Sequence, residues 1–148
     1  MSAPNGLRQN ICNISGPGML RREMDENRIT ACLPPELQYA CRYWMDHLER
    51  SHGSIEDGDA THRFLEKHLL HWLEAMSLMH DTSLCVHLVA RLRLLVTPSS
   101  HAVASFLHDA SRFVLRFVSV LAEAPLQIYS SALLFSPWTS IVREVFID

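Results

Sequence analysis

His68 and His71 stand three residues apart in KHLLHWLE (67–74), a spacing that can offer two imidazoles to one metal ion. At about 100° per residue, His68 falls within the apolar sector of a helix through this stretch and His71 at its edge. A zinc site needs a third and a fourth ligand. His87 or Cys85 would supply them only in a fold that lays another helix alongside. HLLHW also lacks the Glu after the first His that an H-E-x-x-H site uses as general base. The expectation is therefore a half-buried histidine bonded to a neighbouring carbonyl or carboxylate, with no metal site assigned. A small histidine-rich metal-binding protein stays as the alternative.

Other reactive groups lead to the same place. Cys41 precedes Arg42, and a nearby guanidinium can lower a thiol pKa. Yet Cys41 shares its helical face with Ala40 and Trp44, where desolvation favours the neutral thiol. The serines of YSSALLF (129–135) are flanked by residues too large for a nucleophile elbow. No G-x-x-x-x-G-K-[ST] loop occurs, and the five glycines never cluster before Lys-Ser or Lys-Thr. No catalytic residue, cofactor or nucleotide is expected, and the chain reads as a non-enzyme.

Tyr39, Tyr43 and His47 recur at i, i+4, i+8, a second stripe beside the core face of one helix, with Arg42 and Asp46 nearby. Two readings compete. The stripe is either a widened core face covered by another helix, or a protein–protein contact, since Tyr and Arg suit interface cores. Tyr39, Arg42, Tyr43 and His47 are the candidate partner surface. Nucleic acid is disfavoured, because a formal net charge of −3 gives no electrostatic funnel for a phosphate backbone.

The elements that must position these groups follow from periodicity. The chain's 148 residues, 48% of them hydrophobic, are enough for one ordinary domain with its own core. Cys12, Cys32, Cys41 and Cys85 form no C-x-x-C pair, and the opening MSAPNGLRQN has neither the apolar segment nor the cleavage-type run of a secretory leader. Buried free thiols in a reducing, cytoplasmic setting are expected. The longest apolar stretch, 102–122, is interrupted by His108, Asp109, Arg112 and Arg116, so it is not read as a membrane span.

Pro34 and Pro35 suit the first turn of a helix. Behind them Leu37, Ala40, Cys41, Trp44 and Leu48 repeat at steps of three and four until Gly53 and the GSIEDGD cluster stop the pattern. Asp59 is the expected N-cap of a second helix over roughly 60–80, with Phe64, Leu65, Leu69, Trp72, Leu73 and Met76 inside. Ser83 is the expected cap of a third helix ending at Pro98, and Ser99–Ser100 of a fourth, with Val103, Phe106, Leu107, Ala110, Val114, Phe117, Val118 and Leu121 on one stripe. Pro125 opens a fifth, and Pro137 separates it from a sixth carrying Trp138, Ile141, Val142 and Val145. Trp44, Leu48, Phe64, Trp72, Phe106 and Phe117 are the expected core anchors.

No sustained period-two alternation occurs. The fold expected is all-α, an antiparallel bundle or short array of about five or six helices over residues 34–148. Residues 1–33, with an SGPG turn and one short helix near 19–26, are expected to form an irregular N-terminal extension laid on that body.

Five ordered blocks carry a resemblance across nearly the whole chain. They are NICNISGPGMLRREMD (10–25), CLPPELQYACRYWMDHLERS (32–51), FLEKHLLHWLEAMSLM (64–79), FLHDASRFVL (106–115) and EAPLQIYSSALLFSP with SIVREVF (123–146). In this order they resemble the fungal NACHT-type NTPases of vegetative (heterokaryon) incompatibility, many of which end in WD repeats. The resemblance is to the helical region between the NTPase and winged-helix portions and the repeats. It implies a coupling segment of a signalling protein, with full-length NACHT-type relatives as partners and no nucleic acid or membrane. This chain has no Walker lysine, and Trp44, Trp72 and Trp138 are followed by Met, Leu and Thr rather than Asp. No nucleotide-contacting residue carries over. A truncated family member, or a gene remnant without a selected role, fits the same resemblance.

Overall fold

The computed structural model describes residues 7–13, 19–51 and 53–128. Among them run five α-helices: α1 (Glu26–Cys32), α2 (Pro35–Arg50), α3 (Ala60–Leu78), α4 (Thr82–Leu94) and α5 (His101–Glu123). Single 3-10 turns occupy Arg21–Glu23 and Pro125–Ile128. The described residues contain no strand and one isolated parallel bridge, Ile55 to Val96. The fold is all-α, as the periodicity predicts. Of the expected fifth helix only Pro125–Ile128 is described, as a 3-10 turn; its remainder, the expected sixth helix, the SGPG turn and the serines of YSSALLF lie outside the described residues.

Local chemistry sets each boundary. Asp25 caps α1 by accepting from the Asn27 N–H, and the chain turns extended at Leu33 because Pro34 disfavours helix in the residue before it. Pro35 then fills the first helical position of α2, where its missing N–H costs nothing. Asp59 caps α3 through the His62 N–H at 2.8 Å. Gly58, at φ +77, adopts the left-handed backbone that this tight turn requires. At the far end of α3, His80 takes φ +61 while the Asp81 N–H returns to the Met76 carbonyl at 2.8 Å, closing the helix as a glycine otherwise does.

Two expected caps are corrected. α4 begins at Thr82 rather than after Ser83. Ser100 flanks α5 but its side chain does not cap it. That role falls to Asp57, whose carboxylate accepts from the Val103 N–H at 2.8 Å and the Ala102 N–H at 3.2 Å. A carboxylate from a separate loop thus meets the positive end of the longest helix. The Ile55–Val96 bridge holds that loop in place, through Ile55 N to Leu95 O at 2.9 Å and Thr97 N to Ile55 O at 3.1 Å.

α3 is the central helix. Of its last eleven residues, His68 to Leu78, all but the half-buried His71 are buried, as expected of a helix enclosed on all sides. It packs against α2, α4, α5 and the Pro125–Ile128 turn. Leu69, Trp72, Leu73, Ala75 and Met76 are essentially inaccessible. α5 contributes Val103, Phe106, Leu107, Ala110, Phe113, Val114 and Leu121.

The described N-terminal residues are also tied down. The short helix expected near 19–26 resolves into the Arg21–Glu23 turn followed by α1. Arg21 is buried, donating to the Leu78 carbonyl at 2.7 Å and to Glu26 at 2.8 Å, a cation placed at the negative end of α3. Residues 7–13 form a strap with Leu7, Ile11 and Cys12 buried. The four-free-thiol expectation is corrected here. Cys41 and Cys85 are buried free cysteines, but Cys12 and Cys32 are joined in a disulfide across 20 positions, with a Cα–Cα separation of 5.3 Å. The pairing depends on how α1 brings its last residue back beneath the strap, which spacing alone does not reveal.

A candidate interaction face on the second helix

α2 shows the body of the protein one face and solvent another. Leu37, Cys41 and Met45 are buried beneath it. Roughly half a turn away, on the opposite side of the helix, Tyr39 (54% exposed), Tyr43 (43% exposed) and His47 form an outward ladder. The two tyrosine rings lie 4.8 Å apart, the Tyr39 and His47 rings 5.9 Å apart, and the Tyr39 hydroxyl meets His47 Nε2 at 3.2 Å. No neighbouring helix covers these rings among the described residues, so the widened-core reading of the stripe does not hold there. They form a pre-ordered amphipathic surface, each ring keeping apolar area and a polar tip.

Arg42 differs from the other members of the predicted surface. Its Nε donates to Asp81 at 2.6 Å, so it fastens α2 to the turn between α3 and α4. Arg91 on α4 performs a similar task, reaching Asp46 at 2.6 Å and Glu49 at 2.8–3.0 Å. Those two carboxylates hold the Arg91 guanidinium even more firmly charged than usual. With both charged clamps in place, α2 presents its tyrosines from a fixed scaffold.

An aromatic wall stands behind the ladder. Trp44 packs edge-on against Trp72 at 6.1 Å and against Phe64 at 5.5 Å, Phe64 lies 5.4 Å from His68, and His68 lies 5.2 Å from His71. Trp72 and Phe106 are fully buried; Trp44, Leu48, Phe64 and Phe117 are partly exposed and pack against the core from its rim. Met45, buried at 0%, went unrecognised in the sequence because Trp44 beside it drew the helical face one position round.

The histidine pair is bonded to itself. His68 Nδ1 and His71 Nδ1 are 3.0 Å apart, so one ring donates and the other accepts. His68 Nε2 is buried with no hydrogen-bond partner among the described residues. That favours the proton of His68 on Nδ1, where it is bonded, over Nε2, where burial would strand it. Burial, then the charges of His68 and Lys67, depress the affinity of His71 for a proton; burial, then Lys67, does so at His68. No group of three or more metal-ligating side chains forms among the described residues. His87 is exposed on α4, and the Cys85 thiol is pushed well above its ordinary pKa by burial and by the Asp81 charge. The Cys41 thiol is pushed up to about 12 by burial, despite Arg42 beside it.

Sequence reasoning missed one functional-looking group, Glu74. It is 1% exposed, one turn from the C-terminal end of α3, and its two carboxylate oxygens accept from the Asn10 N–H at 2.8 Å and the Ile11 N–H at 3.0 Å. The available signal was a lone carboxylate inside the buried-looking run LLHWLEAMSLM (69–79), which demands a partner from elsewhere in the chain.

No helix among the described residues is long and apolar enough to cross a membrane. No protein-family model matches the chain, and no solved structure matches it. A curated relative does: over 95% of its length the chain is 32% identical to the vegetative incompatibility protein HET-E-1 of Podospora anserina, of which it spans 11%. The resemblance carried by the five ordered blocks is thus to one stretch of a much longer fungal vegetative incompatibility protein.

Proposed function

We propose that this chain is a non-enzymatic helical coupling module of the NACHT-type incompatibility machinery. It would act in the cytoplasm by binding other parts of such a protein, or a full-length relative, through the Tyr39–Tyr43–His47 face. The observation that carries this reading is the exposed ladder of mutually contacting rings on a helix whose opposite face is buried and which Arg42 and Arg91 clamp to its neighbours. Tyrosines held in fixed rotamers lose little entropy on binding and bring large contact area. The central α3, touched by every long helix, would pass a displacement of α2 to α5 as a rigid-body shift.

The alternative of a small metal-binding protein is less well supported, because the two Nδ1 atoms bond each other and His87 stands exposed on α4. The remnant reading gains nothing from α3, whose last three turns are covered by protein.

The test is binding of the purified chain to the separately expressed nucleotide-binding and repeat portions of a HET-E-1-type relative, followed by calorimetry. Binding that weakens at least tenfold in a Y39A/Y43A variant of unchanged melting temperature supports the proposal. Binding indifferent to both tyrosines, or hydrolysis of ATP or GTP by the purified chain, would falsify it.

A further inference from the structure

We propose that the Cys12–Cys32 disulfide is a redox-operated latch. Reduction by a thiol or dithiol releases the strap 7–13 from α3 and uncovers the Glu74 side of that helix. This inference stands apart from the role given to the tyrosine face.

Among the described contacts, hydrogen bonds, buried apolar side chains and one covalent bond, the disulfide, hold the strap to the helices. Asn10 and Ile11 give their N–H groups to Glu74. Arg28 donates through Nε to the Cys12 carbonyl at 3.0 Å and through Nη2 to the Asn13 carbonyl. Leu7 and Ile11 are buried. The strap's backbone turns through Asn10 and Asn13, both at φ near +50 and joined by Asn13 N to Asn10 O at 3.0 Å. Asparagine enters that left-handed region more readily than other side-chain-bearing residues, so the turn is a local one that does not by itself bind the strap to the helices. A strap of this kind opens as a local unit once its tether is cut.

The two cysteines are unequally exposed. Cys12 is 2% exposed, whereas Cys32, the last residue of α1, is half-buried. An incoming thiolate therefore attacks Cys32 Sγ. The Cys32–Cys12 bond breaks, Cys12 departs as a thiolate and takes a proton from water, and a mixed disulfide forms at Cys32. A second thiol of the reductant attacks that mixed disulfide and frees Cys32. The balance is two electrons to the protein, two protein thiols formed and one reductant disulfide produced. Cys41 and Cys85 do not interfere, since both are buried in the body and held as neutral thiols. In a reducing compartment a lone, one-sided disulfide of this kind suits sensing better than permanent stapling.

What the latch controls follows from where it lands. The strap's two N–H groups meet a buried carboxylate on the central helix, so release removes two charge-assisted bonds from the part of α3 that packs against the rest of the fold.

The experiment uses the full chain, oxidised and then treated with dithiothreitol under native conditions. Alkylation with mass spectrometry should find Cys12 and Cys32 protected before treatment and labelled after it, with Cys41 and Cys85 unlabelled throughout. Hydrogen exchange in residues 7–13 should quicken by about tenfold or more on reduction, and return on reoxidation, while residues 65–73 change little. A C12S/C32S variant should show the fast exchange with or without reductant. If that variant fails to fold, the reversible cycle on the unaltered chain decides alone. Immediate labelling of Cys12 and Cys32 in the untreated oxidised protein would overturn the proposal. So would full reduction with unchanged exchange at 7–13.

Discussion

The indole of Trp72, at the middle of α3, donates its Nε1–H to the backbone oxygen of Cys41 on α2 at 2.9 Å. The bond joins the central helix to the helix bearing the exposed tyrosines, at a point where both residues are fully buried. It makes Trp72 both the largest core side chain and the polar pin of the α2–α3 contact. Replacing Trp72 by Ala should destabilise the fold by about 3–5 kcal/mol, the range for deleting a large aromatic from a close-packed site. W72F should cost less, since it keeps most of the apolar contact and forfeits the bond. Chemical denaturation followed by circular dichroism checks both values. A loss at W72A no larger than at an exposed residue would contradict the central place given to this side chain.

Trp44 is predicted to behave differently. It packs against Trp72 and Phe64 but remains partly exposed at the edge of the core. W44A should therefore cost about 2 kcal/mol, below the loss at Trp72, because part of its area already faces water. The comparison of the two variants in one denaturation series is more informative than either alone. Equal losses would mean that the rim is in fact core.

The contrast between these tryptophans shows how far the sequence could be read. Helical spacing located α2 to α5 because apolar side chains recur wherever a helix meets a core, and that signal is local. It also found the stripe Tyr39–Tyr43–His47, since stripes on one helix need no knowledge of the rest. It left unsettled which stripes are covered, because cover comes from other helices. Asp57 capping α5, Arg21 at the end of α3, and the strap on Glu74 all join residues more than forty positions apart. No spacing rule reaches that far. The Cys12–Cys32 pairing was illegible for the same reason: α1 must fold before the two sulfurs meet.

Acid should loosen the α3 histidine pair. Burial lowers the proton affinity of His68 and His71 in the folded state, whereas both titrate near about 6.5 when the chain is unfolded. The unfolded state then binds more protons at low pH, so stability is complete above that value and declines as pH falls through it towards the depressed folded values. Protonation also converts both facing Nδ1 atoms into donors and breaks their bond. The melting temperature should drop between pH 7.5 and 5.5, and an H68L/H71L variant should flatten this slope. An unchanged slope in the double variant would assign the effect elsewhere.

Asp57 contributes at lower pH, with the same sign. The Val103 N–H, and to a lesser degree that of Ala102, hold its carboxylate charged below the ordinary aspartate pKa. The stability it provides is present above the unfolded pKa and is lost as pH falls through the depressed folded one. At neutral pH, D57A should lower the melting temperature and speed exchange in the first turn of α5. D57N should sit between, keeping an acceptor oxygen but not the charge that the helix terminus favours. The neighbouring E56A serves as the control, since no hydrogen bond links the Glu56 side chain to α5 among the described contacts. If E56A and D57A melt alike, the distant cap is not what fixes the start of α5.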